Sequence, residues 1–263
     1  MNIESMFTLK GKVAFVTGAY GYLGQSMVYA LGSAGAHVIL NGRNEDKILA
    51  LTKDMEKSGF SVEGAVFDVT NESHIADYFS NVSKLDILVN NAYQGGSGPI
   101  EESDVKDYRN SYEISLIAAV TLFKSALPAM RQAVLNEGYA SVINIASMYG
   151  MVSPDSRLYD DPKSINPAFY GASKAALIQW SRQAACEFGS QGIRINSISP
   201  GAFPNEIVRS ERIDFVEKLS KKVPLGRVGR AEELCGPLVF LASEGSSYVN
   251  GSNLVVDGGW TSW

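Results

Sequence analysis

Short apolar runs rich in β-branched residues alternate with longer stretches of helical period along the whole of this 263-residue chain. That alternation is the sequence form of βα units wound around a parallel sheet, because strands covered on both faces read as continuous apolar runs. Strands are predicted at Val13–Val16, His37–Leu40, Ser61–Phe67, Asp86–Val89, Ser141–Ile145, Ile193–Ile198 and Leu254–Val256. Helices are predicted at Gln25–Ala34, Asp46–Ser58, His74–Ser83, Val105–Asn136, Ser173–Gly189 and Ala231–Ala242. Seven strands fit one doubly wound α/β sheet with helices on both faces. With no internal repeat, low-complexity tract or linker, residues 1–263 read as a single domain. Two segments break the rhythm: Met151–Phe169, with Pro154, Pro162 and Pro167, and Ala202–Leu225. Loops that long in a compact domain are usually functional, so 151–169 and 202–225 are assigned to a substrate pocket.

Composition narrows the function. A formal charge of -5, with Lys221-Lys222 the only dense basic patch, argues against a nucleic-acid partner, which needs clustered Lys and Arg for its phosphates. Two cysteines, Cys186 and Cys235, form no C-x-x-C pair, and two histidines cannot complete a Cys/His zinc site, so no metal is expected. Met1–Thr8 carries acid and no apolar leader core, and the longest mostly apolar stretch, Ile114–Phe123, is about half a membrane span. These features are read as a soluble, cytoplasmic protein with no membrane partner. The chain is also glycine-rich, with 25 glycines against an average usage of roughly 7%.

Several of those glycines sit where they carry chemistry. The first strand runs through Thr17-Gly18-Ala19-Tyr20-Gly21-Tyr22-Leu23-Gly24 directly into a helix. Gly18, Gly21 and Gly24 free the backbone for a tight turn whose N–H groups, with the helix N-terminus behind them, approach a pyrophosphate. A dinucleotide is the natural ligand, and a tight turn without one is the bland alternative. After the second strand, an NAD-preferring site would present an acid to the ribose 2′-hydroxyl, and this chain has Asn41-Gly42-Arg43. Arg43 suits a 2′-phosphate, which makes NADP(H) the expected cofactor ahead of NAD(H).

A second constellation lies further along. Tyr170 and Lys174 are four residues apart in Tyr170-Gly171-Ala172-Ser173-Lys174, so they share a helical face. At about 4 Å and an effective dielectric near 20, an ammonium is worth roughly 4 kcal/mol to a phenolate, enough to bring a tyrosine toward neutral pH. Such a tyrosine serves as general acid or base. Tyr159 and Lys163 have the same spacing, but Pro162 interrupts them, whereas Gly171, Ala172 and Ser173 leave room beside Tyr170 for a ligand. Ser147 closes a buried-type strand at the carboxyl edge of the sheet, where it can hydrogen-bond a substrate oxygen. Asn90-Asn91-Ala92 either lines the cofactor groove or caps a turn, and Asp68 either meets adenine or caps the following helix.

Together these residues resemble the short-chain dehydrogenase/reductase family. The match covers nearly the whole chain through Thr17–Gly24, Asp68-Val69, Asn90-Asn91-Ala92, Asn144–Ser147, Tyr170–Lys174, Arg194-Ile195-Asn196 with Ser199-Pro200-Gly201, and Val256-Asp257-Gly258-Gly259. The resemblance implies a Rossmann-type domain and hydride transfer between NAD(P) and a carbonyl/alcohol pair. It makes Tyr170 the proton donor in reduction, Lys174 its partner and holder of the nicotinamide ribose, and Ser147 the group that orients the substrate oxygen. Pro200 and Gly201 would flank the nicotinamide, Asp68 would approach the adenine, and Asn90 the adenosine ribose. Tyr20, Tyr22, Leu23, Val69 and Ala92 complete the implied cofactor wall. The chain departs from the family pattern at Tyr22, where glycine is usual, and at Ser115, which aligns with the helix asparagine supporting a proton-relay water. The stretch 151–169 is longer than usual and carries Asp155, Arg157, Tyr159 and Asp160. This polarity points to a sugar, sugar acid or polyol, as in gluconate 5-dehydrogenase-like members, with a 3-oxoacyl compound next. A weakly active dinucleotide-sensing or scaffold protein is the reading from another class. Apolar residues on the long helices imply a homo-oligomer, a homotetramer first and a dimer second.

Overall fold

Side chains of a strand point alternately to its two faces, and here both sets are apolar, so the sheet must be covered twice. In this computed structural model, which describes residues 2–263, seven parallel strands stand in the order β3-β2-β1-β4-β5-β6-β7. They are β1 (Val13–Val16), β2 (His37–Gly42), β3 (Val62–Val66), β4 (Ile87–Asn90), β5 (Ala140–Ile145), β6 (Ile193–Pro200) and β7 (Asn253–Val256). The predicted α/β doubly wound sheet is the observed one, with strand ends displaced by two residues at most. Register is continuous through the centre, where Val16 pairs with Leu40 on one side and Val89 on the other.

Ten helices follow in chain order: α1 (Ile3–Phe7), α2 (Tyr22–Ser33), α3 (Glu45–Lys57), α4 (Glu72–Phe79), α5 (Val105–Tyr112), α6 (Ala118–Glu137), α7 (Ala168–Phe188), α8 (Glu206–Glu211), α9 (Ile213–Lys222) and α10 (Cys235–Ala242). One core packs Ala14, Val16, Val38, Leu40, Ile87 and Val89 against Val28 and Leu31 of α2, Ile48 and Met55 of α3, and Leu238 of α10. The other packs Phe15, Ile39, Leu88 and Val142 against Phe79 of α4, Leu122 and Ala126 of α6, and Ala184 of α7. Asn44 caps α3 by accepting from the Lys47 backbone N–H at 2.9 Å, and Gly138 at φ +84° ends α6 in the left-handed conformation that glycine adopts at low cost.

The structure corrects the sequence expectation in two places. The single helix expected over Val105–Asn136 contains a π turn at Glu113–Ile117, closed by the Ala118 N–H on the Glu113 carbonyl. The α5–α6 rod includes an 18-residue window as apolar as a membrane span, 44% of it buried, and it forms a wall of the second core. The segment Ala202–Leu225, expected to be a loop, holds α8 and α9. Its prolines, Pro204 and Pro224, lie just outside those helices, where they end structure without interrupting it. Leu219 on α9 is buried, with Phe215 and Val216 partly so, in a third, smaller core with Met148, Leu158, Val223 and Trp260 over the carboxyl edge of the sheet.

Candidate active site

β1 and β4 are the neighbours at which the strand order reverses, and ligands of doubly wound sheets bind at that crevice. A cleft of about 450 Å³ opens there. It is lined by Gly18, Tyr20, Gly21, Tyr22, Leu23 and Gly24 of the first turn, Asn41–Arg43 at the end of β2, Phe67–Val69 after β3, and Asn91–Gln94 after β4. Thr17 ties its two halves together, its hydroxyl accepting from the backbone N–H groups of Asn91 (2.8 Å) and Ala92 (2.9 Å). Gly18 has φ +64°, and a Cβ on Gly24 would lie 2.2 Å from the Gly18 carbonyl oxygen, so neither position accepts a side chain without moving backbone. Tyr22 is the first residue of α2, with helical backbone and no positive φ, so its departure from glycine leaves the turn unstrained. The turn, the helix N-terminus behind it and the absence of an acid in the first turn of α2 fit a pyrophosphate.

At the β2–β3 end of the cleft, Arg43 hydrogen-bonds Gln94 and stands 3.8 Å from Asp68. The Asp68 carboxyl is held below its usual range by the Thr70 backbone and hydroxyl donors and by Arg43, which outweigh its partial burial. Gly42 has a reason of its own: a Cβ there would lie 2.3 Å from the Tyr20 ring. Any side chain at 42 competes with Tyr20 for one space.

The chemical wall stands beyond the end of β5. Ser147 caps the short turn Met148–Gly150 by accepting from the Tyr149 backbone N–H at 3.1 Å. Tyr170 and Lys174 share one face of α7, next to Ser147. Burial pushes the Tyr170 phenol up, and hydrogen bonding with Ser147 acts the other way. Lys174 differs from the sequence expectation. Its ammonium donates to the Ile145 carbonyl at 2.8 Å and lies 5.8 Å from the centroid of the Tyr170 ring, and burial lowers it to about 7. In the free protein, then, desolvation and not the ammonium sets the phenol.

Behind this pair runs a chain of hydroxyls. The Tyr93 hydroxyl is 3.3 Å from Ser111 Oγ, Ser111 is 2.9 Å from Ser173, and Ser173 donates to Ser115 at 3.2 Å. Ser115 lies in the π turn, buried, and with Thr17, Asn90 and Lys174 lines a small cavity of about 10 Å³. That is room for one water. Asn90 donates to Asn144 Oδ1 at 2.8 Å while its own Oδ1 finds no partner.

A family model described as enoyl-(acyl carrier protein) reductase matches residues 18–261. The chain belongs to the short-chain dehydrogenase/reductase family. It is 33% identical to gluconate 5-dehydrogenase of Gluconobacter oxydans, over 99% of both proteins. It is 32% identical to a 3-oxoacyl-(acyl-carrier-protein) reductase of Rickettsia bellii, over 97% of this chain and 98% of that one. The crystal structure of a gluconate 5-dehydrogenase from Burkholderia cenocepacia, in complex with NADP and tartrate, superposes with a TM-score of 0.87 at 30% identity and full coverage of both chains. The protein is thus a pyridine-nucleotide-dependent oxidoreductase of the short-chain dehydrogenase/reductase type.

Within that family frame, the predicted residues divide. Gly18, Tyr20, Gly21, Tyr22, Leu23, Gly24, Arg43, Asp68, Val69 and Ala92 line the cleft. Asn90 does not; it faces the small cavity beside Lys174, and its neighbour Asn91 lines the cleft instead. Strand alternation turns one of two adjacent asparagines inward, and the sequence does not say which. Pro200 ends β6 and Gly201 packs against Asp257, where a Cβ would come within 2.5 Å, and neither lines the cleft. Gly171 and Ala172 line a second cleft of about 430 Å³ beside residues 149–154, and a Cβ on Gly171 would also lie 2.7 Å from the Tyr149 carbonyl. Tyr159 and Lys163 fall in separate short turns, so they share no helix face. The polar residues of 151–169 reach α9: Asp155 pairs with Lys222 at 2.6 Å and with Arg157 at 2.8 Å, Asp160 pairs with Lys218, and Tyr159 packs on Phe215 at 5.3 Å. Sequence reasoning passed over Tyr93 and Gln94, whose signal was an aromatic two residues before Gly95-Gly96.

Proposed function

We propose that the protein is an NADP(H)-dependent dehydrogenase/reductase acting on a polar carbonyl/alcohol pair of sugar, sugar acid or polyol type, with Tyr170 as general acid/base. The observation that carries this reading is Ser147 beside Tyr170, with Lys174 one turn further along the same helix. The bound dinucleotide would supply or take up the hydride. Gly18, Gly21 and Gly24 would hold its pyrophosphate, Arg43 a 2′-phosphate, and Lys174 its second ribose. In reduction, Ser147 donates a hydrogen bond to the substrate carbonyl oxygen and Tyr170 delivers its proton to that oxygen. A phenol raised by burial is fully protonated at neutral pH, the form a donor needs. In oxidation the same oxygen of Tyr170 receives the proton, helped by a charged Lys174. Ser115 stands where the family places asparagine and offers a hydroxyl to the cavity beside Lys174.

Support for a sugar acid comes from relatives, gluconate 5-dehydrogenases among them, one crystallised with tartrate. A 3-oxoacyl substrate is the second reading, favoured by the 32% identity to the Rickettsia bellii reductase. We also assign the protein to homo-oligomers, tetramer before dimer, because Ile117, Val105 and Leu135 are exposed apolar residues on the α5–α6 rod. The test is NADPH oxidation over a panel of keto-sugar acids, ketoses and 3-oxoacyl thioesters, with Tyr170→Phe beside wild type. Expected is turnover of a keto-sugar acid that falls about 10³-fold in the variant while NADPH still binds. Binding without Tyr170-dependent turnover would leave a dinucleotide sensor.

A further inference from the structure

Lys174 has almost no free surface. The residue is 3% exposed, its ammonium is bonded to the Ile145 carbonyl, and the ring of Tyr93 lies over it with the centroid 5.2 Å from Nζ. The same ring meets Tyr170 at 4.7 Å between centroids and 63° between planes. Tyr93 and Gln94 line the dinucleotide cleft, whereas Lys174 lines a small cavity that meets the cleft at Val69, Ala92 and Ile114. The Tyr93 ring, over the Lys174 ammonium and against Tyr170, covers that pair on the cleft side, and a ribose hydroxyl reaches the ammonium from the cleft when the ring moves.

The ring is lightly held, by one 3.3 Å hydrogen bond to Ser111 and by its aromatic contacts. Beyond it the backbone runs Gln94-Gly95-Gly96-Ser97-Gly98, with open space around Gly96 and Gly98 and φ +133° at Gly98. Gly95 is different. A Cβ there would lie 2.2 Å from the Tyr93 hydroxyl, so the covering position of the ring requires glycine at 95. Gln94 meanwhile bonds Arg43 across the other end of the cleft.

We propose that Tyr93 is a gate: in the free protein its ring covers Lys174 and Tyr170 on the cleft side, and it swings out about Gly95-Gly96 as the nicotinamide half of a dinucleotide seats. The proposal rests on the reading of the cleft as a dinucleotide site. A gate open about one-tenth of the time weakens apparent affinity about tenfold, and removing it restores that factor.

Stopped-flow NADPH fluorescence on the full-length protein tests this with Tyr93→Ala, Tyr93→Phe and Gly95→Ala. Gly95→Ala keeps the ring but displaces it, so it opens the gate independently of the truncation. In wild type the observed rate levels off at high NADPH, because opening becomes limiting. In Tyr93→Ala and Gly95→Ala it rises linearly with NADPH, and affinity increases about tenfold. Tyr93→Phe, which keeps the ring and loses the Ser111 bond, falls between. Adenosine 2′,5′-bisphosphate, which lacks the nicotinamide half, binds all four proteins alike. If both opening variants are folded by circular dichroism and bind NADPH no faster and no tighter than wild type, the gate is refuted and the cofactor reading stands. If one variant fails to fold, the other decides. If wild type binds neither NADPH, NADH nor the bisphosphate, the cofactor reading falls and takes the gate with it.

Discussion

Two loop systems crown the carboxyl edge of the sheet, and they are held by opposite means. The lobe made of 148–169 and α8–α9 has its own core of Met148, Leu158, Leu219, Val223 and Trp260, fastened by the Asp155–Lys222 and Asp160–Lys218 pairs. The strap after β4 has no core. It rests on the Tyr93 ring with its Ser111 hydrogen bond, the Gln94–Arg43 bond and the Gly98 N–H on the Ile165 carbonyl at 2.9 Å. Length assigned the lobe to a substrate pocket, and packing makes it a fixed wall and leaves the short glycine strap as the piece with little to lose on opening.

Lys174 reports on the strap with the largest effect. Its burial lowers it from 10.5 to about 7 in the folded state, so the folded protein carries an unfavourable buried charge below pH 7. Between pH 7 and about 10.4 the unfolded chain binds this proton and the folded one does not, so stability rises with pH through that window. Lys174→Met should therefore be more stable than wild type at pH 6 by up to about 4 kcal/mol, with the gain gone by pH 11. Urea denaturation across that range measures it, and equal pH dependence in the two proteins would mean the strap leaves Lys174 wet in solution.

Leu158→Ala probes the wall. Removing a buried leucine should cost about 2–4 kcal/mol and raise KM for substrate, with NADPH affinity unchanged. A loss in NADPH affinity would show that lobe and strap move together. Arg43→Ala cuts the other bar of the strap, and NADPH binding should weaken about tenfold while NADH stays within about twofold, read by fluorescence titration. An equal loss for both dinucleotides would remove Arg43 from the cofactor choice. The smallest effect belongs to Asp155→Asn, whose exposed partners predict a midpoint shift well below that of Leu158→Ala, shrinking further in high salt.

Much of the fold was legible because both faces of the sheet are buried. A strand covered twice leaves an unbroken apolar run, so Val13–Val16 and Ile87–Val89 announced themselves. The α9 helix did not, since only Leu219 is buried and Pro224 read as an interruption, although it lies two residues past the end. The catalytic-wall candidates were legible from ordered short motifs with mechanistic spacing. What stayed hidden depends on which way a side chain turns: Asn91 and not Asn90 to the cleft, Gly171 serving the Tyr149 carbonyl, and Tyr93 folding back over Lys174. Those are tertiary facts, set by neighbours far away in sequence.

The shared space of Gly42 and Tyr20 bears on how dinucleotide preference can change. An acid at 42 would favour a bare ribose, but its first carbon would enter the Tyr20 ring. The two positions are coupled, so Gly42→Asp alone lands on a poorer protein and the route to an NAD-selective descendant runs first through a smaller residue at 20. On the NADP(H) reading proposed above, the choice of dinucleotide would be held by sterics as well as by charge, and a lineage could drift for a long time without leaving it.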